Sequence, residues 1–366
     1  MVGRGAGLPR RWLLLGTHVP ASGSAGGMVR YVVELARALA DRDDVDLTVL
    51  ASPAGAPFLA DVLGARRVLA LPADLPTALR SALERGALVP GLLTASSRRT
   101  WDVVHGTKHL LPRRGGARRV LTVHDTLFLD RPQDFPAAKR TLLRRPFLAS
   151  ARAADVCLCV SSATRDRLVH HAPELAARAA VVGLAVAPGL LAAAPVAVPA
   201  LQGRRFGLVV GDPSPRKNLP FALDVWRRVH QAHPDLQLAL AGPPGWGIED
   251  LGDIGARPDV VRLGQLSDGQ LRWCYEQAEV VLCPSLLEGY GLPAVEAVAL
   301  GARVVTSEDP ALVEVSGPFA THLPLRPDVW SAAVLDLIAA PKPRTPTTAR
   351  TWRDVAADTV RAVAAT

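Results

Sequence analysis

Cys283-Pro284-Ser285-Leu286-Leu287-Glu288-Gly289-Tyr290-Gly291-Leu292-Pro293-Ala294-Val295-Glu296-Ala297 joins a strand to a helix. The run before it, 280–283, is short and apolar, the form a strand takes when both its faces are covered. Pro293 stands at the start of a helical stretch reaching Leu300, where a missing N–H is harmless. Between them lie glycines in Gly-x-Gly spacing and two glutamates separated by seven residues. Glu288 falls in the loop beyond the strand, and Glu296 about a turn into the helix. Glycines let backbone N–H groups come close to a phosphate, and a helix N-terminus adds partial positive charge there. Glu296 is suited to accept hydrogen bonds from ribose hydroxyls.

The strand-then-helix unit recurs on both sides. Upstream, strands are predicted at 206–211, 236–241 and 260–263, with helices at 219–229 and 267–277; 303–306 follows as another strand. Earlier still, strands are predicted at 12–16, 47–51, 103–105, 120–124 and 155–160. Met28, Tyr31, Val32, Leu35 and Leu39 fall on one helix face. Such alternation predicts an α/β protein of parallel sheets covered on both faces. A Pro- and Ala-rich stretch without charges, 185–202, reads as a linker. The expected organisation is therefore two doubly wound, Rossmann-like domains, at 1–190 and 203–340. Ligands of such sheets bind beyond the carboxyl ends of the strands.

Three further segments lie at such positions. Gly26-Gly27 opens the helix that begins near Met28 and reads either as a phosphate-approach loop or as an ordinary glycine turn. His124-Asp125 follows the strand at 120–123, where the histidine is placed either to face a cleft or to serve as a satisfied structural histidine; His105 ends the preceding strand with the same ambiguity. Gly211-Asp212-Pro213-Ser214-Pro215-Arg216-Lys217-Asn218 sets two adjacent cations at a helix start, opposing the helix dipole unless an anion sits there, and a diphosphate would suit.

Together these segments resemble the retaining glycosyltransferases of family 4, which have the B-type (GT-B) architecture; the resemblance implies two domains facing each other across a cleft, an acceptor-binding domain at 1–190, a donor-binding domain at 203–340, and a closing helix at 345–366 that returns to the first. Glu288 to Glu296 stands as that family's E-x7-E element, in the setting P-S-x-x-E-G-[FY]-G-L-P-x-x-E-A. Arg216-Lys217 sits in a segment like its G-x-x-x-P-R-K-N, Gly26-Gly27 resembles its N-terminal glycine pair, and 123–125 its V-H-D. The resemblance implies that Arg216 and Lys217 hold the donor diphosphate, with Gly289, Tyr290, Gly291 and Leu292 in the same binding loop. It implies that Glu296 holds the ribose, that Glu288 lies at the sugar, and that His124 faces the sugar or the reacting centre. Gly26 and Gly27 would contact phosphate or make room for the acceptor. The V-H-D and P-R-K-N segments look most like the mannosyl- and rhamnosyltransferase branch, so the implied reaction is hexosyl transfer from GDP-mannose to a hydroxyl, without a metal or other cofactor. Rhamnosyl or UDP-sugar transfer, a nucleotide-sugar epimerase and a non-catalytic sugar-binding protein are the alternatives. Two departures stand out: 181–186 replaces the P-N-G-V often found before the linker, and Asp212 stands where some branches place an arginine.

Composition bounds the rest. At 366 residues and 49% hydrophobic, the chain can fill two cores. No apolar run approaches the roughly 18 residues of a spanning helix, and the N-terminal apolar run is too short for a signal-peptide core, so the expected location is cytoplasmic. Cys157, Cys159, Cys274 and Cys283 form no C-x-x-C pair and read as buried thiols. The net charge of +8 is uneven: residues 1–183 carry 26 Lys and Arg against 15 Asp and Glu, and 184–366 carry 16 against 19. Much of the excess sits in the doublets Arg66-Arg67, Arg98-Arg99, Arg113-Arg114, Arg118-Arg119 and Arg144-Arg145. They read either as a solvated surface or as attraction to an anionic partner, such as a membrane face. Aromatics at 5%, none interleaved with the doublets, disfavour nucleic acid.

Overall fold

The computed structural model describes residues 8–23, 26–71, 100–112, 118–243, 257–341 and 350–365. Aliphatic runs form two sheets. The first contains β1 (Arg10–Leu15), β2 (Val45–Ala51), β3 (Val68–Ala70), β4 (Val103–Gly106), β5 (Arg118–Val123), β6 (Val156–Cys159) and β7 (Ala179–Val181), in the order β3-β2-β1-β4-β5-β6-β7. The second contains β8 (Arg205–Val210), β9 (Leu236–Ala241), β10 (Val260–Gly264), β11 (Val280–Cys283), β12 (Val304–Ser307) and β13 (Thr321–Leu323), in the order β10-β9-β8-β11-β12-β13. Every ladder is parallel, with Trp12 opposite Leu47 and Val103 in the first sheet and Leu208 opposite Ala239 and Val281 in the second. The chain thus has two doubly wound α/β domains. The sequence pattern missed β3, β7 and β13, edge strands of three residues whose side chains are largely half-exposed, because such strands carry neither the length nor the apolar run that marks a buried one.

Each sheet is packed on both faces. In the first domain Trp12, Leu14, Tyr31, Leu35 and Leu39 share one core with Trp352, Val355 and Val363 of the last helix, Trp352–Ala365. In the second, Phe206, Leu208 and Ala239 pack with Tyr275 on one face, while Val209, Val225 and Trp226 pack with Trp330 on the other. Gly207 permits this: a Cβ there would lie 2.4 Å from the Trp226 ring.

The charge-free stretch is not a loose linker. Val182, Leu184 and Ala185 are buried in the first core, whereas Val186, Leu190, Val198 and Leu201 are buried in the second. The chain therefore crosses between domains at Ala185-Val186, and the helix Pro188–Ala192 already belongs to the second domain. Proline and alanine gave the stretch a linker's composition, but its valines and leucines are spaced to anchor it.

Strand order reverses between β1 and β4 in one sheet and between β8 and β11 in the other. These two switch points open a crevice at the carboxyl ends of the strands, and the segments singled out from the sequence lie beside them.

Candidate active site

At the second switch point, the loop after β8 meets the loop after β11. Arg216 and Lys217 lie in a single tight turn, Pro215–Lys217, ahead of the helix Leu219–Ala232. Asn218 between turn and helix is left-handed at φ 53°, a conformation asparagine tolerates. Both cations grip Glu288: Arg216 Nη1 donates to its Oε2 at 2.6 Å, and Lys217 Nζ to its Oε1 at 2.6 Å. Ser285 Oγ adds a third hydrogen bond at 2.7 Å. Burial alone would raise the Glu288 carboxyl, but the two cations and these hydrogen bonds outweigh it and hold it at about 2. The anion that two cations at a helix start require is thus supplied by the protein itself. Asp212 stands 3.9 Å from Arg216. A cavity of about 110 Å³ opens alongside, lined by Gly211, Asp212, Lys217, Gly242 and Arg262 among others, at the ends of β8, β9 and β10.

Glu296, on the helix Leu292–Ala299, is buried. Its Oε2 accepts from the Tyr275 hydroxyl at 3.0 Å, and its Oε1 from Arg30 Nη1 at 3.0 Å. Burial raises its carboxyl above the usual range, against the opposing influence of Arg30 and the Tyr275 hydrogen bond.

At the first switch point, His124 follows β5 directly. Its Nε2 lies 2.9 Å from the Thr107 carbonyl, so this nitrogen carries the proton and donates, which leaves Nδ1 as an acceptor. Burial lowers the imidazole below its ordinary value, and the ring meets Tyr31 edge-on at 4.7 Å. Burial also takes His18 and His105 to about 3, so these rings are neutral at physiological pH. His105 is a core histidine, fully buried with Nε2 2.7 Å from Thr122 Oγ1. Asp125 Oδ1 caps the Leu127 N–H at 3.1 Å.

The glycines have separate tasks. Gly26 begins the helix Gly26–Ala40 at φ +73°, and a Cβ on Gly27 would come 3.4 Å from Leu292 of the other domain. A Cβ on Gly289 would lie 1.7 Å from the His124 carbonyl oxygen, so the two switch-point loops touch there. The Gly289 carbonyl accepts from Ser161 Oγ at 2.6 Å and Thr164 Oγ1 at 2.9 Å, and the Tyr290 hydroxyl donates to the Leu184 carbonyl at 2.7 Å. Leu292 packs on the first domain's core, and Gly291 takes φ +95° to cap its helix. The 289–292 segment therefore docks the second domain on the first.

Two segments of the chain match known families: residues 25–190 match Glycosyltransferase Family 4, and residues 197–346 match Glycosyl transferases group 1. The chain is also 30% identical to D-inositol 3-phosphate glycosyltransferase of Mycolicibacterium gilvum, an alignment covering 92% of this chain and 84% of that protein. The chain belongs to the family 4 glycosyltransferases.

This family 4 glycosyltransferase is also similar to O-antigen chain mannosyltransferase B of Escherichia coli, at 29% identity over 59% of each chain, so the match spans about three fifths of that relative's length. In fold it is similar to Anabaena HepE, solved in complex with UDP and glucose, at a TM-score of 0.64 and 19% identity over 97% of this chain and 96% of that one. Several residues of its site escaped the sequence reading. Ser285 lay inside the quoted motif, three residues before Glu288, and its spacing was the available signal. Arg30 and Tyr275 reach Glu296 from other elements, and Arg167 Nη1 donates to the Glu288 carbonyl at 2.6 Å. No local pattern marks these contacts, because each joins residues 21 to 266 positions apart.

Proposed function

We propose that the protein transfers a hexosyl group from a nucleoside-diphosphate sugar to an acceptor hydroxyl with retention of anomeric configuration, and that GDP-mannose is the preferred donor. The observation that carries this reading is the pair Arg216 and Lys217, locked side by side on buried Glu288 at the second switch point. Arg216 and Lys217 set two cations side by side where a diphosphate would leave, with Glu288 and Asp212 as their protein counter-ions. Electrostatic stabilisation of the departing anion is among the largest contributions an enzyme makes. Glu296 would accept from the ribose, and the cavity beside Lys217 would receive the base. Glu288 would orient the cations and border the sugar. His124, neutral and with Nδ1 as an acceptor, would face the acceptor hydroxyl across the crevice. In a front-face displacement the acceptor oxygen bonds to the anomeric carbon as the bond from that carbon to the phosphate oxygen breaks. The hydroxyl proton passes to the leaving diphosphate, and no metal is required.

Mannose is favoured by the mannosyltransferase-like segments and by the similarity to O-antigen chain mannosyltransferase B. Calorimetry across GDP-mannose, UDP-sugars and dTDP-rhamnose tests the donor. Binding of a UDP-sugar alone would replace mannose in this reading, and donor conversion without an acceptor would turn it towards an epimerase. Glu296→Ala is expected to weaken donor binding at least about tenfold, since one hydrogen bond to a charged group is worth about 1.5–3 kcal/mol. Unchanged binding in a folded variant would remove the ribose assignment.

The reading places the protein in the cytoplasm, where buried unpaired thiols such as its four cysteines are at home. Among the described residues no helix is long and apolar enough to cross a membrane. A peripheral contact with anionic lipid is favoured by Arg144 and Arg145, both exposed on the helix Ala137–Ala153. Arg119 is instead engaged by Asp155, and Arg98, Arg99, Arg113 and Arg114 lie outside the described residues. Vesicles containing anionic lipid are expected to retain the protein at low salt and release it near physiological ionic strength, where screening reaches about 8 Å. Arg144→Gln with Arg145→Gln should weaken retention by about 1 kcal/mol per charge removed. Absence of retention at low salt would leave a soluble acceptor.

A further inference from the structure

We propose that Arg30 is a positioning residue of the donor site, reaching from the first domain to hold the Glu296 carboxylate aimed at the ribose, so that ribose recognition is complete only when the two domains are together. The proposal rests on the reading of Glu296 as the ribose acceptor. Arg30 lies in the first turns of the helix Gly26–Ala40, which follows β1 of the first sheet. Its Nη1 donates to Glu296 Oε1 at 3.0 Å, and its Nη2 to Asp268 Oδ1 at 2.8 Å. Both acceptors belong to the second domain. Asp268 opens the helix Asp268–Gln277, whose Tyr275 donates to Glu296 Oε2. One guanidinium thus bridges two helices of the opposite domain, and the planar fork of arginine fixes their relative position.

The hydrogen bonding leaves acceptor capacity on Glu296. An ionised carboxylate offers about four lone-pair sites, and only one hydrogen bond reaches each Glu296 oxygen from the described residues. In this proposal a vicinal ribose diol takes the others while Arg30 stays in place. To accept from both hydroxyls Glu296 must be ionised, and its burial works against that. Arg30 and the Tyr275 hydrogen bond favour its ionised form, and Asp268 opposes it; the buried Cys283 thiol also faces it. Asp268 and Tyr275 carry no positive charge, so the charge that favours the ionised form comes from Arg30. The sign follows: without Arg30 the Glu296 carboxyl rises further, and its accepting form is lost progressively as pH falls.

The test uses GDP and UDP, which share the ribose, as calorimetric probes between pH 8 and pH 6, with Glu296→Ala, Arg30→Gln and Arg30→Lys in the full-length protein. Wild-type affinity is the reference at each pH, because the terminal phosphate of both nucleotides also titrates in this range. Arg30→Gln should weaken both nucleotides, by about tenfold at pH 6, the size of one charge-assisted hydrogen bond, and by less at pH 8. Arg30→Lys should bring the pH profile back towards that of the wild type, which a loss of packing alone would not do, and melting curves establish that each variant is folded. If Glu296→Ala binds as wild type, the ribose reading fails and the proposal with it. If Glu296→Ala is impaired but Arg30→Gln matches wild type at every pH, the proposal alone is overturned. Tighter binding by Arg30→Gln would also overturn it, because Arg30 would then be competing with the ribose for Glu296.

Discussion

Lys217→Ala lowers affinity for a nucleoside diphosphate and for the intact donor by about a hundredfold, and leaves the free nucleoside nearly unaffected. The magnitude follows from what one ammonium does here. A charge-assisted hydrogen bond in a poorly solvated site contributes about 1.5–3 kcal/mol, and each 1.4 kcal/mol is about tenfold in affinity. The upper part of that range applies because the Lys217 side chain is only 11% exposed, so water does not replace it. A second loss accompanies the first. Glu288 keeps Arg216 and Ser285 but loses one of its two cations, and removing a partner from a buried pair costs about 3–5 kcal/mol when no other partner remains. The melting temperature should therefore fall by a smaller amount than an orphaned charge would produce. Calorimetry with nucleoside, nucleoside diphosphate and nucleotide sugar separates the effects. Equal weakening of all three would mean that Lys217 supports the fold and does not meet phosphate.

Gly289→Ala is expected to cut sugar transfer by at least about a hundredfold while both domains remain folded. The new methyl has nowhere to go: its carbon would sit 1.7 Å from the His124 carbonyl oxygen and 3.2 Å from Asp125 Cβ. Neither neighbour is a flexible tip. The two loops must part, and a displacement of about 1 Å between reacting groups can cost about a hundredfold in rate. Donor binding should fall less than transfer does, since Arg216, Lys217 and Glu296, the groups proposed to hold the donor, all belong to the second domain. Steady-state kinetics beside calorimetry reads the split. Full activity in a folded Gly289→Ala protein would mean that the contact between Gly289 and His124 is not part of the reacting arrangement.

The fold was legible because its signals are local. The run 280–283 is apolar throughout, Ser267 and Gln270 form a capping box at the start of Asp268–Gln277, and the glycines stand where strands turn into helices. The grip of Arg216 and Lys217 on an anion was legible too, as a conflict between charge and helix dipole. That the anion is Glu288 was not, because the pairing spans 71 and 72 residues and depends on the parallel register of β8 with β11. The 289–292 segment read as a phosphate loop, since glycine spacing says that something approaches the backbone without saying what. In the structure Gly289 is approached by another stretch of the same chain, at His124. The packing of 186–201 was hidden for a related reason: Pro and Ala dominate its composition, while a few valines and leucines decide where it goes.

The last helix closes the chain on the domain where it began, so polypeptide passes between the domains twice. The outgoing pass, at 182–186, and the returning one, ending at Arg350, are fastened to each other: Arg350 Nε donates to the Gly183 carbonyl at 2.9 Å. Two connections pinned at one place behave as a single pivot. Such a pin would favour swinging over sliding, once the bonds that Arg30 and Arg167 make across the crevice had opened. In a swing, displacement grows with distance from the pivot. Tyr290, bonded to Leu184 next to the pin, travels little, whereas the far rim of the crevice travels most. A swing of this kind would widen the mouth while the Glu288 to Leu292 loop stayed almost in register with His124.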